Sequence, residues 1–277
     1  MTVLLNIRTL TWVLCLMSLA AAGLAPAGVV AAEVDARPPD RLTLTGNGST
    51  LTGTDGGAGG SLNWLHYFKP DAIFGLSAEH QFIEDSSWSF ATIRGSLGGG
   101  QAPTKFTVFG EVQYGNGDDD GRDFDYSEAV LGIGEVFTSK FSAQLEARYI
   151  DIDTTVGTLP KLSLSYLWTP HLLSTVSYAN SIGGNLGTEL VTARVDYYGQ
   201  YINLMAGGAS GSADSTVIVP GLSLPATNLK QAFAGIGKVF RRGEIQLVAD
   251  YLELDQSEKV TVVLSFTAYV GSRAPSK

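Results

Sequence analysis

The chain has 277 residues, of which 27 are acidic and 18 basic, and its formal net charge of −9 excludes the basic surface of a nucleic-acid-binding protein. Only 16% of its residues are charged, against about 25% in a typical soluble domain, and glycine is unusually frequent. Beyond the N-terminal segment, the sequence contains no run of about 18 apolar residues that could span a membrane as a helix. The apolar residues are therefore distributed along the chain in short segments.

The first 32 residues have the pattern of a secretory signal peptide. Arg8 is their only charge, an apolar stretch follows from Leu10 to Ala22, and Val30-Ala31-Ala32 is the expected cleavage site. The alternative is an uncleaved anchor helix. Cys15 is the only cysteine and would leave with this segment, which excludes disulfides and cysteine-based metal or nucleophile chemistry from the mature chain.

After this segment, apolar and polar residues alternate in short stretches, and a period of two is the signal of a β-strand. In Phe141–Tyr149, for example, the odd-numbered positions are apolar, whereas the even-numbered positions carry polar groups such as Glu146 and Arg148. In chain order, the predicted strands are 41–54, 61–68, 72–83, 87–98, 106–114, 124–137, 141–149, 161–168, 172–180, 191–197, 201–208, 229–240, 245–251 and 260–268.

This pattern predicts an all-β protein in which residues 41–270 form a single antiparallel up-and-down transmembrane β-barrel. The strand count is about fourteen, with twelve as the alternative, because the segment 41–54 has the weakest alternation. Residues 33–40, which contain Pro38-Pro39, are expected to form a flexible lead, and residues 271–277 a polar C-terminal tail.

The connections between these strands differ in length on alternate sides. The four longest, 116–123, 153–160, 181–187 and 209–228, fall on one side if the C-terminus is periplasmic. Tight turns such as Lys69-Pro70-Asp71 fall on the other side. Outer-membrane barrels have this asymmetry, with short periplasmic turns and longer external loops. The 209–228 connection could fold into the lumen, dock on another molecule or extend two strands.

On this pattern the chain resembles bacterial outer-membrane β-barrel proteins over its whole mature region. The segment from Thr169-Pro170 through Asn203 to Gly208-Ala209-Ser210-Gly211 is also similar to YaiO-type barrels, as is Gly237-Lys238-Val239. The resemblance implies location in the outer membrane of a Gram-negative bacterium. The chain departs from the usual pattern at its end, where a polar tail rather than an aromatic residue follows the last strand.

Polar and charged residues lie on the strand faces that we expect to point inward. They would line a wet lumen and select solutes by charge and size, or they would pair with one another and plug the barrel. The lumen-lining candidates are Glu79, Arg94, Glu111, Gln113, Glu146, Arg148, Arg194, Asp196 and Asp250.

The stretch Asn116-Gly117-Asp118-Asp119-Asp120-Gly121 has the spacing that opens a calcium-binding loop. Asn116, Asp118 and Asp120 are the candidate metal ligands. The twelfth position of such a loop would be Ser127 rather than glutamate, and Glu128 comes one residue late. An acidic, solvated loop without calcium is the alternative, as is a loop joined by divalent ions to lipopolysaccharide phosphates.

Three histidines, His66, His80 and His171, raise the question of an outer-membrane lipid hydrolase. None of them has a serine and a carboxylate nearby in a recognisable triad, and we therefore predict that the chain is not an enzyme. We expect no cofactor other than the calcium considered above.

The predicted function is a channel or conduit for small solutes or for exported polysaccharide. The alternatives are a structural or surface-interaction barrel without transport and, third, a lipid-modifying barrel enzyme. The expected partners are outer-membrane lipid, lipopolysaccharide and the barrel insertion machinery, with an exopolysaccharide system as a further one and no nucleic acid.

Overall fold

The structure is a computed structural model that describes residues 40–51, 56–69, 71–83, 86–101, 104–119, 121–152, 155–213, 227–255 and 257–271. The predicted signal peptide (1–32) lies outside these residues, as do the lead except for Asp40 and the tail except for Gly271. No helix in the described part of the chain is long and apolar enough to cross a membrane.

The described residues form fourteen β-strands, which confirms the all-β prediction and the higher of the two strand counts. Their bounds are β1 Asp40–Leu51, β2 Gly57–Lys69, β3 Ala72–Ile83, β4 Ser86–Gln101, β5 Thr104–Asp119, β6 Arg122–Val136, β7 Phe141–Ile152, β8 Thr155–Thr169, β9 Leu172–Asn180, β10 Glu189–Tyr198, β11 Ile202–Ala213, β12 Thr227–Phe240, β13 Gly243–Leu254 and β14 Ser257–Val270.

Each strand pairs antiparallel with its neighbours in sequence, and the first strand pairs with the last to close the barrel. The closing ladder runs without a break from Asp40↔Val270 to Leu51↔Lys259. The weakly alternating first segment is therefore a full member of the sheet. Its pattern is weak because Gly46 and Gly48 occupy outward positions where other strands carry aliphatic side chains.

The two faces of the sheet are chemically opposite. On β6, the outward side chain of Leu131 is 70% exposed, whereas its neighbour Val130 and the inward Glu128 are buried. The same alternation runs around the barrel and leaves a continuous outer wall of exposed Leu, Ile, Val and aromatic side chains. An outer apolar wall combined with a polar interior is the reverse of a soluble barrel and matches a barrel that faces lipid.

Outward tyrosines mark the rim at the end with the longer connections. The Tyr178 hydroxyl donates a hydrogen bond to Glu189 over 3.0 Å, and Tyr114 and Tyr149 donate to Asp125 and Asp151 over 3.5 Å. Tyrosine has an apolar ring and a polar tip, which suits the boundary between lipid and water.

Two of the predicted long connections are mostly strand. β5 continues to Asp119 and β6 begins at Arg122, so the predicted loop 116–123 is a ladder closed by a tight turn; similarly, β8 begins at Thr155. Glycine and aspartate disfavour strands in isolation, so the predicted strands on both sides of these connections are too short. Pairing with the neighbouring strand overrides that preference, as in Asn116↔Asp125.

Inward glycines in this region create room for aromatic rings on the adjacent strands. A Cβ atom at Gly115 would lie 2.2 Å from the Phe90 ring, and one at Gly117 would lie 2.3 Å from the Phe124 ring. Gly132 beneath Phe109 and Gly207 beneath Phe233 repeat the arrangement. The rings therefore lie against the wall over a glycine, and the strand keeps its ladder although it lacks a side chain there.

This packing makes Gly115 sensitive to substitution. The Gly115→Ala methyl group would also lie 2.3 Å from the backbone oxygen of Ser89, which cannot move without disturbing the ladder. We expect the free energy of unfolding to fall by about 1–3 kcal/mol through overpacking. Gly46→Ala is the control, because its Cβ would meet nothing within 4 Å. Urea-induced unfolding in detergent micelles measures both, and equal midpoints would contradict the packing argument.

Candidate functional site

The barrel interior contains a cluster of charged side chains on β4–β8. Arg148 lies 3.2 Å from Glu128 and 3.9 Å from Glu146, and Lys161 lies 3.3 Å from Glu146. On the next strands, Arg94 lies 3.9 Å from Glu111. Each acid in this cluster therefore has a basic partner on the same or a neighbouring strand.

The centre of this cluster is Glu128, of which only 3% is exposed. Its carboxylate accepts a hydrogen bond from the Tyr126 hydroxyl in addition to the contact with Arg148. A buried charge loses its hydration, and this loss is offset only where partners neutralise it and satisfy its lone pairs. The pairing therefore explains how the inner wall holds several buried charges.

The remaining predicted lumen residues also lie on the inner face. Arg194 Nε contacts both carboxylate oxygens of Asp196, at 2.9 and 2.8 Å. Gln231 donates to Asp250 over 2.6 Å, and the neutral amide of Gln81 donates to Glu79 over 2.9 Å. The ninth candidate, Gln113, is buried opposite Glu128 in the ladder between β5 and β6.

Sequence reasoning missed Glu128, Lys161 and Lys259 as interior charges. Glu128 has the same parity as Tyr126 and Val130, so its face reads as apolar in sequence although it points inward. Lys161 and Lys259 stand at the edges of the predicted segments. The register of neighbouring strands, rather than alternation within one strand, is the signal that assigns them.

The half of the interior next to the longer connections is narrowed by a second, apolar cluster. Trp88, Phe90, Phe124 and Tyr126 on β4 and β6 pack in one contiguous group with residues of β7–β13. The other members are Ile150, Ile152, Leu159, Ala179, Leu186, Leu190, Ala209, Ala213, Leu229, Leu252 and Leu254. The lumen is thus narrowed by side chains at this end, and the charged cluster lies nearer the middle of the strands.

The segment between β9 and β10 contributes to this narrowing. Ile182 forms a bridge with Thr158, the Asn185 side-chain oxygen accepts from the Val156 N–H over 2.9 Å, and Leu186 packs against Gly157. This predicted external loop therefore folds back on the end of β8.

The described calcium-loop candidates lie in a strand rather than in the predicted loop. Asn116 and Asp118 lie in β5, at outward positions, and the Asp118 carboxylate accepts a hydrogen bond from the Gly121 N–H over 3.0 Å. Asp120 lies outside the described residues. The described residues contain no group of three or more His, Cys, Asp or Glu side chains arranged to hold a metal ion. Calcium binding at these residues stays a prediction.

The three histidines lie on different strands or turns with different partners. His66 Nδ1 lies 2.9 Å from Asp40 Oδ2, and His80 Nδ1 lies 3.0 Å from Ser89 Oγ on the outer face. His171 Nδ1 lies 2.8 Å from the Tyr198 carbonyl oxygen. The histidine that contacts a serine is therefore His80, whereas the one that contacts a carboxylate is His66.

No protein-family model matches the sequence, and no curated protein matches it. Solved structures are similar in fold. The CymD monoaromatic hydrocarbon channel has a TM-score of 0.60 at 9% identity, with 86% of this chain and 90% of that chain covered. The Pseudomonas putida toluene transporter TodX has a TM-score of 0.53 at 10% identity, with 86% and 92% covered. The Acinetobacter baumannii outer membrane protein Omp33 has a TM-score of 0.50 at 10% identity, with 84% and 99% covered.

The fold is therefore that of bacterial outer-membrane β-barrels, which confirms the predicted class. Together with the exposed aliphatic outer wall, this fold assigns the protein to the bacterial outer membrane. The similarity to YaiO-type barrels stays a prediction.

The contribution of the charged cluster to stability can be tested by substitution. Arg148→Met would leave the buried Glu128 carboxylate without its basic partner, and we expect the free energy of unfolding to fall by about 3–5 kcal/mol. Lys230→Met is the control, because Lys230 and its partner Glu253 are 71% and 46% exposed and such pairs contribute at most about 1 kcal/mol. Guanidinium-induced unfolding in micelles compares the two, and a loss for Arg148→Met no larger than the control would show that the interior is well hydrated.

Proposed function

We propose that the protein is an outer-membrane channel that conducts small solutes through its lumen. The observation that supports this proposal most strongly is the closed fourteen-strand barrel with a polar inner face. Side chains fill barrels of about eight strands, whereas barrels of about sixteen leave an aqueous channel. At fourteen strands, the size of the passage depends on how the interior side chains pack.

Six of the nine predicted lumen residues have a defined role in this proposal. Arg94, Glu111, Glu146 and Arg148 hold their charges in mutual pairs on one side of the lumen and do not present a net charge to the solute. Arg194–Asp196 does the same elsewhere on the inner wall. The channel would therefore discriminate more by size and hydration than by attraction of one charge sign.

Two of the solved structures with this fold are named as a hydrocarbon channel and a toluene transporter. They support a channel for small solutes in preference to a conduit for exported polysaccharide, which would need a passage free of the apolar cluster at the outer end. Outer-membrane lipid, lipopolysaccharide and the insertion machinery are the partners that this location requires.

The apolar cluster gives the channel a testable restriction. Single-channel recording in planar lipid bilayers with the purified protein should show discrete conductance steps. Trp88→Ala should enlarge them, because Trp88 is buried in the cluster that narrows the outer half of the lumen. The control is Trp64→Ala, which removes an outward indole and should leave the steps unchanged. Absence of steps in the wild-type protein at any voltage would contradict the proposal.

A lipid hydrolase is the competing function, and the His80–Ser89 contact on the outer face is the one observation that favours it. Within the described residues, no carboxylate is paired with His80, and such an acid orients the histidine in a hydrolase triad. We therefore expect no release of fatty acid from phospholipid vesicles by the wild-type protein or by Ser89→Ala. Hydrolysis that disappears in Ser89→Ala but persists in Ser87→Ala, a neighbouring outward serine, would replace the channel proposal with an enzyme.

A further inference from the structure

The inner wall is not equally accessible around the barrel. In the half next to the longer connections, each of β3–β14 contributes at least one buried inward residue, for example Gln81, Trp88, Leu190 and Thr261. Among the described side chains, β1 and β2 contribute none there. All inward residues of β1 from Thr43 to Ser49, and of β2 from Gly57 to Leu65, remain partly accessible. The free passage through the narrowed half therefore runs along these two strands.

The residues along this passage share one chemistry. We call them the hydroxyl strip, which consists of Thr43, Thr45, Asn47 and Ser49 on β1 and of Gly57, Gly59, Ser61 and Asn63 on β2. Every side chain in the strip is uncharged. On its β14 side the hydroxyl character continues, because Thr43 Oγ1 lies 2.9 Å from Thr267 Oγ1 and Thr45 Oγ1 lies 3.2 Å from Ser265 Oγ.

Two polar atoms at the strip are buried without a partner within the part of the chain that the structure describes. They are the Asn63 amide oxygen and the Thr261 hydroxyl oxygen, and Thr261 stands opposite Ser49 in the β1–β14 ladder. A buried polar atom without a partner is costly, and a shift of the surrounding side chains that opens either atom to the lumen would let a solute hydroxyl satisfy it.

Charged groups flank the strip at its two ends and interact with neighbouring side chains. Gln81 extends over Gly59, where a Cβ atom would lie 1.8 Å from its amide oxygen, and its amide nitrogen donates to the buried Glu79. At the other end of the strip, the Arg41 guanidinium lies over the Tyr67 and Tyr269 rings, 5.6 and 5.9 Å from their centroids. Between these ends, an ionic solute would lose hydration along the strip without gaining a counter-charge.

We propose that the hydroxyl strip is the solute path through the narrow half of the barrel, and that it takes uncharged solutes with several hydroxyl groups, such as neutral sugars and polyols. Such a solute exchanges its hydrogen bonds with water for hydrogen bonds with the strip and carries no charge that must be desolvated. This inference rests on the proposed channel function.

The experiment measures solute uptake into proteoliposomes that contain the full mature chain, with liposome swelling as the readout. The probes are arabinose, gluconate and glucosamine, which are neutral, anionic and cationic. We expect arabinose to enter about tenfold faster than either charged probe, since the strip offers no charge to raise their local concentration. Asn47→Asp should raise glucosamine uptake, Asn47→Lys should raise gluconate uptake, and neither should change arabinose uptake much.

A bulky substitution tests the position of the path. Asn47→Phe should nearly abolish arabinose uptake, whereas Ser163→Phe, at a half-buried inward position of β8 on another wall, should retain most of it. Circular dichroism of each variant confirms that the barrel is folded. Equal uptake of all three probes, or an unchanged rate in Asn47→Phe, would overturn the assignment of the strip as the solute path but would not contradict the channel function. Failure of every probe to enter the wild-type proteoliposomes, together with the absence of conductance steps, would overturn the channel itself.

Discussion

The structure depends on the closure of the sheet between β1 and β14. Lipid offers no hydrogen-bond partners to a backbone, so a strand with an open edge cannot remain in a membrane. The unbroken ladder from Asp40↔Val270 to Leu51↔Lys259 satisfies the two strands that would otherwise form that edge. Once the ring is closed, side-chain alternation divides every strand into a lipid-facing and an interior face, and all other features follow from this division.

The interior then has to be filled without the usual apolar core. Near the middle of the strands, acids and bases neutralise one another, with Glu128 held between Arg148 and the Tyr126 hydroxyl. In the half next to the longer connections, aromatic rings lie over inward glycines and join an aliphatic cluster. Together the two clusters occupy lumen volume on β4–β13. The hydroxyl strip stays accessible because its members are small and because neither cluster extends across β1 and β2.

Much of the fold was predictable because the alternation of polar and apolar residues is a local signal. Phe141–Tyr149 shows both faces of its strand within nine residues and places Glu146 and Arg148 together on the inward face. The predicted boundaries failed where residues with poor strand propensity are held by their neighbours. Asn116 and Asp118 suggested a loop in sequence, yet they pair with β6 as part of a longer strand.

The sequence by itself determined the all-β class, the lipid-facing and interior sets of most strands, and the fact that the longer connections fall at one end of the barrel. Those properties depend on residues close together in the chain. Only the tertiary structure decided which charges meet, because Glu128 and Arg148 become partners through the register between β6 and β7. It also decided where the lumen stays accessible, since that depends on side chains from all fourteen strands meeting in one interior volume.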